Sequence, residues 1–164
     1  MSLNSVLSPA VSINNDKQTD LNNPSDGKYI CAIRTFPVFG TLIWGGRTLD
    51  GNSVDWRYIN VRRTMIMVEQ SVQLAVKAYV FEPNDANTWV TVKSMLNNFL
   101  FNLWKQGAFA GSAPEEAFSV SVGLGSTMTP DDILEGKMNV SILVAISKPS
   151  EFIIFTFQLQ MQQS

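Results

Sequence analysis

The side chains of this chain that could do chemistry are carboxylates, guanidiniums and a single thiol. Adjacent acids stand at Glu115-Glu116 and Asp131-Asp132, and a pair of carboxylates is the minimum for general acid and base work on a glycosidic bond. Neighbouring helix positions point in different directions, so neither pair makes a dyad by itself. Each follows a proline and reads as charge complementing a helix start. Asp131, Asp132 and Glu135 could at most attract a divalent ion weakly, and a solvated surface is the plainer reading. The chain has no histidine, which removes the commonest general base, both His-dependent nucleophile arrangements and most zinc sites. Gly123-Leu124-Gly125-Ser126 lacks the Lys-Ser/Thr of a phosphate loop and reads as a turn. Cys31 is the only cysteine, so no intramolecular bridge can form, and it reads as a small hydrophobe in a strand. No catalytic, cofactor-binding or metal-ligating residue is assigned; an enzyme built on Asp and Glu alone would need distant carboxylates to converge in a cleft.

Arg57, Arg62 and Arg63, with Trp56 and Tyr58 available for stacking, invite a phosphate-binding reading. One small cluster is not a groove, and a net charge of −2 argues against a nucleic-acid surface. These arginines are read as ion-pairing within the fold or across a subunit boundary. The 164 residues fit one domain, with 45% hydrophobic and 16% charged residues; the charged share lies below the roughly 25% of an average soluble domain. Part of the apolar surface is therefore expected to meet other chains. No apolar run approaches the roughly 20 residues of a membrane span, and the first residues lack a signal-peptide pattern. The expectation is a chain made and kept in the cytoplasm, with no membrane insertion and no nucleic-acid partner.

Residues 1–28 are rich in Ser, Asn, Asp and Pro and read as a flexible arm or linker before a domain at 29–164. An extended segment with a bend and a short strand at Thr41 to Trp44 comes next, then a turn at Asp50-Gly51-Asn52-Ser53. Val61, Met65, Val68, Val72 and Ala75 make the stripe of an amphipathic helix from Ile59 to Lys77. Ala78 to Phe81 reads as a buried strand. A second helix runs from about Asp85 to Gln106 on Trp89, Val92, Leu96, Phe99 and Leu103, with Phe101 and Trp104 off that stripe, and ends at Gly107. Trp44 and Trp89 are expected in the core. Phe118 to Leu124 alternates as a half-buried strand, Thr129-Pro130-Asp131-Asp132 starts a short projecting helix closed by Gly136, and Met138 to Ile146 is another strand. Ile153, Phe155, Phe157, Leu159 and Met161 line one face of a last strand from Phe152. A long uncharged strand of that kind is an aggregation liability unless its edge is paired. It reads either as an internal strand or as one that pairs outside the domain. The fold expected is α+β, a mixed β-sheet packed against two main α-helices.

Four blocks carry a family resemblance: Trp56-Arg57-Tyr58-Ile59-Asn60-Val61-Arg62-Arg63, Val80-Phe81-Glu82-Pro83-Asn84-Asp85, Trp104-Lys105-Gln106-Gly107-Ala108 and Lys148-Pro149-Ser150-Glu151-Phe152. In this order they resemble the C-terminal, tube-proximal domain of contractile tail sheath proteins, found in myophages, R-type pyocins and phage-like contractile injection systems. Such proteins are normally longer, so the resemblance implies a fragment or a very short sheath, of phage, pyocin, injection-system or prophage origin. It implies a structural, non-enzymatic role without cofactors. Subunits would self-assemble as hexameric rings stacked around an inner tube and contract to drive it through a target envelope. The partners implied are other copies, the inner tail tube protein, and baseplate and terminator proteins. Assembly would take place in the bacterial cytoplasm, and the mature location would be the virion tail or an extracellular particle. The resemblance also implies an extended N-terminal arm and a C-terminal strand, Phe152, Ile153, Phe155, Phe157 and Leu159, exchanged between subunits. Arg57, Arg62 and Arg63 then become lattice contacts. Lys93, Lys105, Asp131, Asp132 and Lys137 are expected to face the tube, because charged, projecting elements suit a weak, breakable contact. A self-contained binding or adhesion module, with the apolar helix faces as its groove, is the alternative.

Overall fold

The N-terminal third is built from short, locally capped pieces. The computed structural model of the protein describes residue 3 and residues 6–151. Within the segment expected as a flexible arm or linker, Asn15–Asn22 form helix α1, whose Asn14 side chain accepts from Lys17 N at 2.9 Å. Arg34 donates to Asn15 Oδ1 at 2.7 Å and Ile30 N to Leu21 O at 3.2 Å, which ties α1 to the segment beginning at Ile30. Strands β1 (Ala32–Phe36) and β2 (Gly40–Trp44) form an antiparallel hairpin in the register Ala32↔Trp44 to Phe36↔Gly40. After the hairpin the backbone at Gly45 has φ 138°, and a Cβ there would lie 2.9 Å from the backbone of Cys31, so only glycine fits.

Helix α2 (Ile59–Val76) matches the predicted stripe: Val61 and Val68 are buried, with Met65, Val72 and Ala75 half-buried. A single 3₁₀ turn at Lys77–Tyr79 ends it. Helix α3 (Ala86–Lys105) starts at Asp85, whose carboxylate accepts from Thr88 N at 3.0 Å, and stops as Gly107 takes φ 82°. A short helix α4 (Pro114–Ala117) leads into β3 (Phe118–Val122), and β3 pairs antiparallel with β4 (Val140–Val144). Between them lies α5 (Pro130–Leu134), closed at its start by a reciprocal capping box of Thr129 and Asp132. The core gathers Val68 of α2, Val92, Leu96 and Leu100 of α3, Phe109, Ala117, and Val120 of β3. Burying a Leu or Val side chain this completely stabilises by about 1.5–3 kcal/mol.

The α+β class holds, with α2 and α3 as the main helices. Three expectations are corrected. The described strands form two separate two-stranded antiparallel sheets, β1-β2 and β3-β4, rather than one mixed sheet; each strand finds its mate through a nearby connection, and the hairpin closes on itself. Ala78 to Phe81 is not a buried strand: Val80 is 57% and Phe81 103% exposed, because the chain continues from α2 through the 3₁₀ turn into a loop. Trp44 is 45% exposed, its ring tilted against that of Phe36 with centroids 4.6 Å apart, instead of sitting in the core. Trp89, expected in the core with Trp44, is likewise outside it: it is half-buried, with Nε1 donating to Asn84 Oδ1 at 2.7 Å.

Candidate functional site

Three of the four sequence blocks converge where the chain passes from β4 to Glu151. Asn60 of α2 donates to Ser147 O at 2.8 Å, Ser147 N donates to Ala108 O at 3.2 Å, and Ser147 Oγ donates to Gly107 O at 3.3 Å. One residue on, Lys148 Nζ donates to Val54 O at 3.1 Å and lies 3.8 Å from Asp55. At Glu151 the carboxylate is gripped by Arg47, whose Nε reaches Oε1 at 2.9 Å and Oε2 at 3.1 Å while a terminal guanidinium nitrogen pairs with Oε2. Tyr58 Oη donates to the same Oε2 at 3.4 Å, and the Tyr29 ring lies 4.8 Å beneath the guanidinium. The side chains of Arg47 and Glu151 are only 17% and 20% exposed.

The electrostatics derive from this geometry. The Arg47 hydrogen bond, ahead of the cost of burial, holds the Glu151 carboxyl below the usual carboxylate range, and the same bond raises Arg47. Burial, then the nearby Glu151 charge, pushes the Tyr29 phenol up. Forked guanidinium–carboxylate pairing fixes direction as well as energy, so Glu151 has a defined position on the domain surface. Arg47 lies outside the four blocks, and its one signal in the sequence is Glu151 of the fourth block, an acid in need of a partner.

Beside this seam lies a groove of about 460 Å³ between β4 and the start of α2, lined by Trp56, Val61, Met65, Ile142, Val144 and Ile146 among others. Among the described residues β4 is paired along one edge, to β3. An unpaired edge presents a row of main-chain donors and acceptors to an added strand.

The arginines of the first block do not form one site. Arg57 donates to Ser53 O at 3.0 Å and lies 5.8 Å from the Tyr58 ring centre, Arg62 stacks on Trp56 at 4.8 Å, and Arg63 is exposed in a groove on the outer face of α2. The charged residues expected on one surface are also spread out. Lys93 is exposed on α3, Lys105 sits 4.6 Å over Phe101 at the end of that helix, Asp131 is exposed, and Lys137 pairs with Glu135. Asp132 accepts from Thr129 N and Oγ1, both at 2.8 Å, and these bonds lower its pKa. Glu116 accepts from Ser112 N at 3.0 Å and Oγ at 2.8 Å. Among the described residues no group of three or more acids or thiols is close enough to hold a metal. Phe152, Ile153, Phe155, Phe157 and Leu159 lie outside the described residues.

The family model described as phage tail sheath C-terminal domain matches residues 52–160. The contracted helical sheath of the anti-feeding prophage is similar at 43% identity and a TM-score of 0.88, over 96% of this chain and 43% of that one. The contracted sheath complex of the extracellular contractile injection system PVC gives 39% identity and a TM-score of 0.86, over 92% of this chain and 41% of that one. A chain of the six-fold symmetrised anti-feeding prophage baseplate gives 43% identity and a TM-score of 0.83, over 93% and 41%. This chain thus spans about two fifths of the length of the solved chains it matches. No curated protein matches it.

Proposed function

The chain belongs to the phage tail sheath family, through its C-terminal domain, and from that premise we propose that it acts as a structural subunit of a contractile sheath. In this reading copies polymerise around an inner tube and contract to drive it through a target envelope. The observation that carries the reading is likeness at 39–43% identity over more than nine tenths of the chain to sheaths of contractile injection systems. Among the described residues no helix is long and apolar enough to cross a membrane. The partners proposed are other copies, the inner tail tube, and the baseplate and terminator proteins. The mature protein would sit in a phage tail or an extracellular phage-like particle after assembly in the bacterial cytoplasm.

Work is done in such a lattice by re-packing subunits that stay linked, so the linkers must act as hinges while the domains move as bodies. The edge of β4 that is left unpaired among the described residues, and the groove beside it, support strand exchange, with Phe152, Ile153, Phe155, Phe157 and Leu159 supplying the strand and residues 1–28 the second arm. Arg57, Arg62 and Arg63 are proposed for contacts between subunits, and Lys93, Lys105, Asp131, Asp132 and Lys137 for the tube. Negative-stain microscopy and solution mass over a concentration and salt series test the exchange. Tubes, rings or swapped oligomers are expected from the full chain and should vanish when residues 152–164 are deleted. An unchanged monomer before and after the deletion would assign that segment to the domain's own sheet.

A further inference from the structure

Phe81 holds a left-handed backbone, φ 75°, and presents its whole ring to solvent, 103% exposed. A bulky side chain disfavours that backbone region, and a ring left in water gains nothing in return. The surroundings nevertheless fix it there. Val80 N donates to Lys77 O at 3.3 Å and Glu82 N to Tyr79 O at 3.2 Å on either side of it. Asn84 then braces the loop, donating to Lys137 O at 2.9 Å and accepting from Trp89 Nε1 at 2.7 Å. Backbone strain kept in place by surrounding bonds points to use. The next residue, Glu82, is exposed and has no ion-pair partner among the described residues.

The outer face of α2 offers exposed apolar side chains and a charge opposite to that of Glu82. Arg63, Ile66, Met67 and Leu74 border a shallow groove of about 400 Å³. Ile66 is 46%, Met67 39% and Leu74 66% exposed, and Arg63 likewise has no ion-pair partner among the described residues. Phe81 borders a different recess, with Val76, Tyr79 and Met138, and none of the residues lining that recess lines the α2 groove. We propose that the Phe81-Glu82 loop of one copy docks in the α2 groove of a second copy. The ring lies on Ile66, Met67 and Leu74, and the Glu82 carboxylate meets the Arg63 guanidinium. The two surfaces differ, so the contact is heterologous and its repetition generates rings or helical arrays.

The proposal rests on the reading of the chain as a self-assembling sheath subunit, and the test separates the two. In a Cys31→Ser background, a Val80→Cys preparation is mixed with a Gln70→Cys preparation, which keeps the ring and the apolar groove residues, and disulfide-linked dimer is timed against Val80→Cys mixed with Ser112→Cys. At least tenfold faster linkage of the first pair is expected; equal rates overturn the contact. Phe81→Gly in the full chain should keep or raise the melting temperature, since glycine adopts this backbone freely, while weakening self-association. Arg63→Glu should weaken it as well, and the Arg63→Glu/Glu82→Arg double variant should restore it. Intact assembly by Phe81→Gly together with equal linkage rates removes this contact and leaves the sheath reading standing. A chain that never self-associates and never cross-links removes both.

Discussion

Arg47 and Glu151 meet from positions 104 residues apart, and their half-buried fork is the strongest single polar link between the hairpin region and the chain beyond β4. Removing one partner leaves the other desolvated and unpaired, which costs more than the pair contributes net. Arg47→Met is therefore expected to lower stability by about 1–3 kcal/mol, which for a chain of this size lowers the melting temperature by roughly 2–4 °C per kcal/mol. The pH dependence has a definite sign. The folded carboxyl of Glu151 is held below its ordinary value of 4.5, chiefly by the Arg47 hydrogen bond. Its contribution is complete above that value and is lost as pH falls through the lower folded one. Urea unfolding of wild type and Glu151→Gln should thus differ at pH 7 and converge as pH drops below about 4.5. A gap that persists at pH 2 would assign the effect to packing.

Helices α2 and α3 carry the core, and α3 is the less replaceable. Leu100 is fully buried between α3 and β3, beside Leu96 and Val92, so Leu100→Ala should cost about 2–5 kcal/mol, measured by chemical denaturation. Leu74→Ala, on the exposed side of α2, should cost little. These helices are legible in the sequence because an apolar stripe over many turns has no other good solution. Leu100 itself falls one position beyond Phe99, outside the stripe, since a helix seated on a sheet buries a wider face than a single line of residues. The run Ala78-Tyr79-Val80-Phe81 misleads because four apolar residues suit a strand or a helix end equally. Asn14 and Asp16 signal a helix start, but α1 lacks an apolar stripe; its one buried residue is Gln18, so only its contacts to Arg34 and Ile30 reveal it. The seam at Ser147 is beyond sequence reasoning, because hydrogen bonds from Asn60 and to Gly107 carry no periodicity.

On the scale of the molecule, the low charge fraction and the exposed apolar residues fit a part designed to be covered by neighbours, as the sheath reading requires. If the tube is held by Lys93 and Lys105, reversing both to Glu should abolish sheath assembly on tubes in a salt-sensitive way, since repeated contacts of about 0–1 kcal/mol each are screened individually but lost collectively. Normal assembly of that variant, scored by electron microscopy, removes both lysines from the tube surface. If the chain beyond Glu151 is exchanged between subunits as proposed, the seam from Ser147 to Glu151 is where tension enters the domain. A pull arriving through Glu151 meets the Arg47 fork first, then the Lys148 bond to Val54, then the Asn60 and Ala108 bonds at Ser147, and only afterwards the β3-β4 ladder. Load is thereby divided between the two halves of the chain at its point of entry, and β4 is shielded from being peeled off β3 one bond at a time.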